Sequence, residues 1–163
     1  MRTFRLLLLV LAALAALAVG ALAAGCGGDA DSTEEAFEQE VVAARDRTDS
    51  ALAQITTPTS EDDLLVRIRL ARDEVASASG ELAVVEAPED LRDEQRALAG
   101  ALSALSTELD GTANTLETLG PGVAGVRTLD FETWDRVQRA LETLREAGVE
   151  VEPLRRHGGE GGS

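Results

Sequence analysis

The chain has few of the side chains that usually build metal or redox sites. Its 163 residues include one cysteine (Cys26), one histidine (His157), one methionine and one tryptophan, with no lysine and no tyrosine. A single cysteine excludes an internal disulfide framework, and a zinc or di-iron site normally needs several Cys or His ligands. The sequence therefore predicts no metal site and no cofactor.

Positive charge is also scarce. Fifteen arginines face 30 acidic residues, so the net charge is −15, and no basic cluster stands out. Arg2 and Arg5 precede residue 26, so residues 26–163 alone carry a net charge of −17. Because nucleic acid is itself negatively charged, it repels such an acidic surface, and the sequence excludes nucleic acid as a partner.

The first 26 residues have the organisation of a bacterial export signal. Arg2 and Arg5 precede a charge-free apolar run, Leu6–Leu22, which is followed by small residues and then by Gly25 and Cys26. Such a segment is a targeting signal rather than part of a fold. It resembles bacterial lipoprotein signal peptides, whose cleavage box is a branched aliphatic residue, two small residues and Cys. Ala23 occupies the position where that family prefers Leu.

The resemblance implies cleavage between Gly25 and Cys26 and attachment of a diacylglycerol thioether to Cys26. Acylation of the freed amine, commonly with palmitate, would complete an anchor on the outer face of the bacterial cell membrane, because two or more chains hold a protein stably. Two alternatives stay open. Residues 6–24 would span ~28 Å as an uncleaved transmembrane helix. Ordinary secretory cleavage would leave Cys26 as a free thiol.

Beyond the signal, the apolar residues recur at alternating steps of three and four, which predicts four helices and no strand. Capping residues are expected at Ser32 with Glu35, at Ser60, and at Asp130, where Leu129 and Trp134 would form a hydrophobic staple. In the first predicted helix the stripe is Phe37, Val41, Ala44, Thr48, Leu52 and Ile55, and in the second it is Leu64, Ile68, Ala71, Val75, Ala78, Leu82 and Val85. In the third it is Leu91, Gln95, Leu98, Leu102, Leu105, Leu109, Thr112, Leu116 and Leu119. In the fourth it is Trp134, Val137, Leu141 and Leu144.

A sustained period near 3.5 predicts shallow helix crossing, as in coiled coils and bundles. We expect an all-α fold, an up-down-up-down four-helix bundle; the alternative is a three-helix coiled coil with a docked fourth helix. The predicted divisions are residues 1–25 (signal), 26–31 (lipidated Cys and linker), 32–150 (bundle) and 151–163 (flexible tail).

Individual positions on the third helix carry further expectations. Leu105, at the middle of the longest stripe, should be buried, whereas Glu108 should lie on a polar face and matter little to stability. Thr48, Gln95 and Thr112 interrupt buried stripes. They could line a small ligand cavity or, as is commoner, fix the register between helices or form local hydrogen bonds.

Several strings imitate catalytic or ligand-binding motifs but lack the required context. Residues 120–125 match G-x-G-x-x-G, yet they follow a helix instead of joining a strand to a helix. An EF-hand register over residues 29–40 has Glu34 where calcium loops need glycine. Acid pairs such as Glu89 with Asp90 lie on polar faces, and no nucleophile–base pair can be named. The sequence predicts that the protein is not an enzyme.

Taken together, the chain resembles small α-helical lipoproteins of GC-rich, actinobacteria-like bacteria, and this resemblance supplies no catalytic residue. We expect a non-enzymatic protein-binding or scaffold module tethered to the membrane through Cys26, with an unidentified envelope protein as partner. The alternative is a bundle that binds a small ligand or ion, and a hydrolase with an unrecognised site ranks third. Val123, Val126 and Leu129 either contact the partner or plug the open end of the bundle.

Overall fold

The computed structural model describes residues 29–119 and 131–156, and within these ranges all regular structure is helical. The helices are α1 (Asp29–Ile55), α2 (Glu61–Val84), α3 (Arg92–Leu119) and α4 (Trp134–Glu146), and a 3₁₀ turn (Glu89–Leu91) leads into α3. The chain divides into two compact units, residues 1–31 and 32–163. The packing described below is that of the second unit. The expected all-α class is confirmed.

The predicted stripes form the core. Every stripe residue of α1 from Phe37 to Ile55 is buried, and so are the stripe positions of α2 from Ile68 to Leu82. Leu105 and Leu109 of α3 are fully buried, as is Leu144 of α4. These aliphatic side chains belong to one continuous cluster to which all four helices contribute. The period of the sequence therefore identified the buried face of each helix correctly.

Hydrogen bonds and ion pairs between helices define the relative direction of neighbouring helices. Between α2 and α3, Ser79 Oγ donates to the Ala99 carbonyl at 2.9 Å, and Arg72 Nη1 lies 2.8 Å from Asp110 Oδ1. Arg69 pairs with Glu117 at 2.6 Å. Because residue numbers fall on α2 as they rise on α3, these two helices are antiparallel. Helices α1 and α2 are antiparallel for the same reason, because Arg47 pairs with Glu81 and Arg67 donates to the Gln54 carbonyl.

The ends of the helices confirm some capping predictions and correct others. Ser60 is the N-cap of α2, and its Oγ accepts from the Asp63 amide at 3.1 Å. Helix α1 begins at Asp29, so Ser32 is inside the helix and is not its cap. Acids in the first turn favour this earlier start because they interact with the positive end of the helix dipole.

The start of α4 also differs from the prediction. The helix begins at Trp134 and its N-cap is Thr133, so Asp130, which is outside the described residues, is not the cap. Thr133 itself makes no side-chain capping bond to α4. The amides of Glu132 and Thr133, which immediately precede α4, bond instead to a side chain of a neighbouring helix, as described below.

After α4 the chain turns sharply and packs again. Gly148 has a φ of +102°, its amide donates to the Arg145 carbonyl, and the Val149 amide donates to the Leu144 carbonyl. This is a Schellman ending, which requires a left-handed residue after the helix. Residues 149–156, termed the return segment, follow this turn without regular structure, and Val149, Val151 and Leu154 are buried. The prediction of a flexible tail from residue 151 is therefore wrong for residues 151–156.

Candidate functional site

The site residues singled out from the sequence all lie outside the described residues. They are Gly25 and Cys26 at the proposed cleavage point and Val123, Val126 and Leu129 before α4. Lipidation and the partner contact thus stay predictions. Within the described residues, no helix is long and apolar enough to cross a membrane.

Two of the polar residues on the buried stripes hydrogen-bond within their own helix, and the third bonds to a neighbouring helix. Thr48 Oγ1 donates to the Ala44 carbonyl at 2.8 Å, and Thr112 Oγ1 donates to the Glu108 carbonyl at 2.9 Å. Gln95 Nε2 donates to the carbonyls of Leu82 and Val85 at 2.6 and 2.7 Å, so it satisfies the end of α2. Of the two roles considered for these residues, the structural one is therefore observed.

A small cavity lies within the described residues. It lies among the start of α1, Leu91 and the turn after α4, and its volume is about 10 Å³. A cavity of ~10–15 Å³ accommodates about one water molecule, so this space does not fit a cofactor or an organic ligand. Among the described residues, no group of three or more Asp, Glu, His or Cys side chains is placed to hold a metal ion.

Ion pairs connect the exposed side chains of neighbouring helices. The guanidinium of Arg72 bridges Asp73 and Asp110, and these hydrogen bonds raise the pKa of Arg72 above its ordinary value. The hydrogen bond between Arg72 and Asp110 also lowers the pKa of Asp110 below its ordinary value. The hydrogen bond from Ser77, followed by that from Arg47, lowers the pKa of Glu81. Each carboxylate is thus held in its charged form, the opposite of what a general acid needs.

Glu108 joins α3 to α4. Its Oε1 accepts from the Glu132 amide at 2.8 Å, and its Oε2 accepts from the Thr133 amide at 3.0 Å and from the Thr133 hydroxyl. A carboxylate from one helix therefore caps the positive end of another. The expectation that Glu108 is an inert surface residue is contradicted by these contacts.

The most elaborate polar arrangement surrounds the return segment. Arg45 on α1 is 7% exposed; its Nε donates to the Glu152 carbonyl at 3.2 Å and its Nη2 to the Pro153 carbonyl at 2.6 Å. Asp49, one turn further along α1 and 6% exposed, accepts from the Arg155 amide at 2.8 Å. Burying charged groups is favourable only when they are well partnered. Here the partners include backbone atoms of the return segment, the Asp46 carboxylate at 2.6 Å from Arg45 Nη1, and Arg155 Nε at 3.6 Å from Asp49.

Two further side chains complete this arrangement. Gln138 on α4 donates from Nε2 to the Leu154 carbonyl at 2.8 Å and accepts the Leu154 amide on Oε1 at 3.2 Å. Glu38 on α1 accepts the Glu150 amide at 3.2 Å. The space in which residues 149–156 lie, with Glu38, Arg45 and Asp49 on one wall and Gln138 on the other, is termed the α1–α4 groove.

The contacts of the return segment follow α1 in order. Glu38 contacts residue 150, Arg45 contacts residues 152 and 153, and Asp49 contacts residue 155. The segment also contains a three-residue turn, because the Val151 amide donates to the Val149 carbonyl at 2.9 Å. On the other wall, the amide group of Gln138 pairs with both backbone groups of Leu154.

The role of these residues is not evident from the sequence, for a definable reason. Arg45 and Asp49 adjoin the buried stripe at Ala44 and Thr48, so they read as an ordinary solvated pair. A signal was nevertheless present after Gly148, where Val149, Val151 and Leu154 stand among charged residues. Apolar residues that recur at short spacing after a helix stop are a signal that the chain returns to the core instead of ending in solvent.

A few large apolar side chains remain exposed. Val66 and Leu70 are each 54% exposed, one turn apart on α2, and Val84 at the other end of α2 is 84% exposed. Residues four apart share one face of a helix, so Val66 and Leu70 form an apolar pair near the start of α2.

Comparison with known proteins places the chain in no established group. No family model, no curated protein and no solved structure matches it.

Proposed function

We propose that this protein is a membrane-tethered extracytoplasmic lipoprotein that acts, without catalysis, as a protein-binding or scaffold module. The observation that carries the proposal is the N-terminal pattern, in which Arg2 and Arg5 precede a charge-free apolar run that ends at Gly25 and Cys26. Lipid on Cys26 would hold the protein at the outer face of the bacterial cell membrane.

The proposed scaffold is an up-down-up-down four-helix bundle. The antiparallel contacts of α1 with α2 and of α2 with α3 support it, as does the contact of Glu108 with the start of α4. The turn after α4 lines a cavity together with Phe37 and Leu91, which puts that turn beside the starts of α1 and α3. The three-helix alternative has less support, because Val137, Leu141 and Leu144 belong to the common core.

A protein partner is favoured over a small ligand. A ligand-binding bundle needs a cavity of several hundred Å³ between its helices, and the cavity described above has about 10 Å³. Val66 and Leu70, by contrast, offer apolar surface on a rigid helix. Contiguous exposed apolar surface is typical of contact sites for other proteins.

Mass spectrometry of the mature N-terminus tests the anchor. We expect a diacylated or triacylated Cys26 as the first residue, and Cys26→Ser should abolish both cleavage and lipid labelling. An intact peptide containing Ala24, Gly25 and Cys26 from most of the membrane-bound protein would overturn the lipoprotein assignment.

Co-purification from the native membrane tests the binding role. Two double variants, Val66→Ser with Leu70→Ser and Val123→Ser with Val126→Ser, separate the two candidate contacts. Loss of a co-purifying protein at unchanged melting temperature identifies the contact. Val84→Ser is the matched control because it removes an exposed valine from the opposite end of α2. If no variant changes what is recovered, these contact surfaces are wrong.

A further inference from the structure

The outer face of α2 carries a row of side chains spaced by four residues. Asp62, Val66, Leu70 and Glu74 are all exposed, and the buried residues of this helix, such as Ile68, lie on its opposite face. Side chains four apart form a continuous ridge on a helix. This row, termed the acid-flanked ridge, therefore has two aliphatic residues at its centre and an acid at each end. It is about 18 Å long at ~1.5 Å per helical residue.

The acids of the ridge differ from the arginines of the same helix in having no partner. Asp62 and Glu74 make no hydrogen bond or ion pair with any residue that the structure describes. The arginines of α2 are all held in ion pairs within the chain, which are Arg67 with Asp63, Arg69 with Glu117, and Arg72 with Asp110. The ridge thus presents uncompensated negative charge on both sides of its apolar centre.

This charge decides which kind of partner fits the ridge. A second copy in a symmetric dimer would present the same ridge, and the carboxylate of Asp62 would then face that of Glu74. Like charges brought together across an interface oppose binding, and the net charge of −15 adds to the repulsion between copies. An anionic lipid surface is repelled for the same reason. A partner with positive charge at both ends of an apolar contact avoids these penalties.

We propose that the acid-flanked ridge binds an amphipathic helix of a basic partner protein. The partner helix carries two aliphatic residues four apart and a Lys or Arg one turn beyond each of them, so its charges are opposite to those of Asp62 and Glu74. A ridge with this spacing packs into the groove between the ridges of another helix, which makes a helix the matching shape. The proposal rests on the proposed function, in which Val66 and Leu70 are a protein contact, and it adds the chemistry of the partner.

The aliphatic and acidic residues have different roles in this contact. Burial of Val66 and Leu70 supplies the affinity, as in other helices that are recognised through apolar anchors one turn apart. Exposed ion pairs at the rim add little affinity, but they set the orientation of the partner and exclude acidic helices. Because these pairs stay in contact with water, salt should weaken them.

The test uses the full chain and three fluorescently labelled helical peptides built on an alanine and glutamine background. Their four ridge positions, each four residues apart, are Lys-Leu-Leu-Lys in the first, Glu-Leu-Leu-Glu in the second and Lys-Ser-Ser-Lys in the third. By fluorescence anisotropy the first should bind at least ~10-fold more tightly than the others, because it alone offers both the apolar contact and opposite charge. Raising NaCl from ~50 mM to ~500 mM should weaken its binding ~3-fold or more.

Two double variants of the chain assign the contact. Val66→Ser with Leu70→Ser should reduce the affinity for the Lys-Leu-Leu-Lys peptide at least ~10-fold, because the apolar anchors are lost. Asp62→Asn with Glu74→Gln should reduce it ~3-fold and should remove most of the salt dependence. All four side chains are exposed, so the helical circular dichroism of both variants should match that of the unmodified chain.

Matched controls lie outside the ridge. Val84→Ser removes an exposed valine near the end of α2, and Glu86→Gln with Glu89→Gln neutralises two exposed acids between α2 and α3. Both controls should leave the affinity for the Lys-Leu-Leu-Lys peptide unchanged. If the acid control weakens binding as much as the ridge variant does, general charge and not the ridge attracts the peptide, and the inference is wrong.

Other outcomes would also overturn the inference. One is that no peptide binds at ~1 mM, and another is that the Glu-Leu-Leu-Glu peptide binds as tightly as the Lys-Leu-Leu-Lys peptide. A dimer in sedimentation that Val66→Ser with Leu70→Ser dissociates would make a second copy the occupant. Binding to phosphatidylglycerol vesicles that the same variant abolishes would make a lipid surface the occupant.

Co-purification from the native membrane separates this inference from the proposed function. If the Val66 and Leu70 variant loses a partner that the Asp62 and Glu74 variant keeps, the proposed contact stands and the basic character of its partner is wrong. If both variants keep every partner, the contact itself is wrong. Loss of the same basic protein from both variants, with its retention by both controls, is the expected result.

Discussion

Leu105 lies midway along α3 and is fully buried in the common core. Leu105→Ala should lower the free energy of unfolding by ~2–5 kcal/mol, because apolar contacts are lost and a cavity remains. Ser103→Ala is the control, since Ser103 is exposed on the same helix. It should change stability by less than ~0.5 kcal/mol in the same urea titration followed by circular dichroism. Similar losses from both variants would contradict the register assigned to α3.

Asp63 connects the start of α2 to the preceding turn. Its carboxylate lies 2.9 Å from Arg67 Nε and accepts from the amide and hydroxyl of Thr59. The contact with Arg67, then the hydrogen bond from the Thr59 amide, lowers the pKa of Asp63 from 3.8 to about 2. A lowered pKa stabilises the fold above the ordinary value and loses this effect as the pH falls through the folded value.

The stabilising effect of Asp63 should therefore be complete above pH ~4 and should disappear as the pH falls to ~2. We expect Asp63→Asn to be less stable than the unmodified chain at neutral pH and equal to it near pH 2, by urea unfolding at each pH. Asp62→Asn removes an exposed acid from the same turn but leaves the contacts of Asp63 with Thr59 and Arg67 intact, and its effect should be smaller. A carbon-13 titration that gives Asp63 an ordinary pKa would refute this.

At the scale of elements, the junction of α3 with α4 depends on Glu108. Glu108→Ala removes the acceptor for the amides of Glu132 and Thr133 and for the Thr133 hydroxyl. Loss of a capping acceptor costs ~0.5–2 kcal/mol, and we expect a loss in this range. Glu117→Ala, which removes an exposed ion pair with Arg69, should cost less because such pairs contribute ~0–1 kcal/mol. Equal losses would mean that Glu108 does not cap α4.

The turn after α4 depends on the backbone of Gly148. An added Cβ would meet no atom within 4 Å at Gly148, and the same holds at Gly111 within α3. The two positions therefore differ in backbone conformation and not in available space. Gly148→Ala should destabilise the fold by ~1–2 kcal/mol, because a left-handed residue with a Cβ is strained. Gly111→Ala should stabilise it by ~0.5–1 kcal/mol, because alanine favours a helix interior. Urea unfolding that gives both variants the same sign would contradict the Schellman turn.

At the scale of the whole molecule, negative charge is in excess. Thirty acids oppose 15 arginines, so the net charge is −15 and like-charge repulsion opposes the compact state. Raising NaCl from ~10 mM to ~1 M shortens the screening length from about 30 Å to 3 Å. Repulsion between distant acids acts over a longer range than the ion pairs between helices, so salt weakens the repulsion more than it weakens the pairs. The melting temperature should therefore rise by a few degrees. A fall would show that ion pairs such as Arg72 with Asp110 outweigh the repulsion.

Much of the fold follows from local pattern. The alternation of three and four residues identified the buried faces, including Phe37, Ile68, Leu105 and Leu144, because a helix has a fixed period and an apolar stripe must leave water. The Ser60 cap was likewise predictable, since a cap and its amide are three residues apart. The end of α4 at Gly148 is local for the same reason.

Other features depend on which elements meet in space, and no local pattern determines that. Glu108 has the spacing of a surface acid, and it becomes a cap only because Thr133, the residue before α4, lies beside it although it is 25 residues later in the chain. Arg45 and Asp49 resemble a solvated pair until the return segment, more than 100 residues away, places its backbone against them. Residues 151–156 are too short and too charged to order alone, and burial of Val151 and Leu154 against α1 and α4 orders them. Period and propensity thus determined the helices, whereas contacts between distant segments decided their caps, the ordered return segment and the groove that holds it.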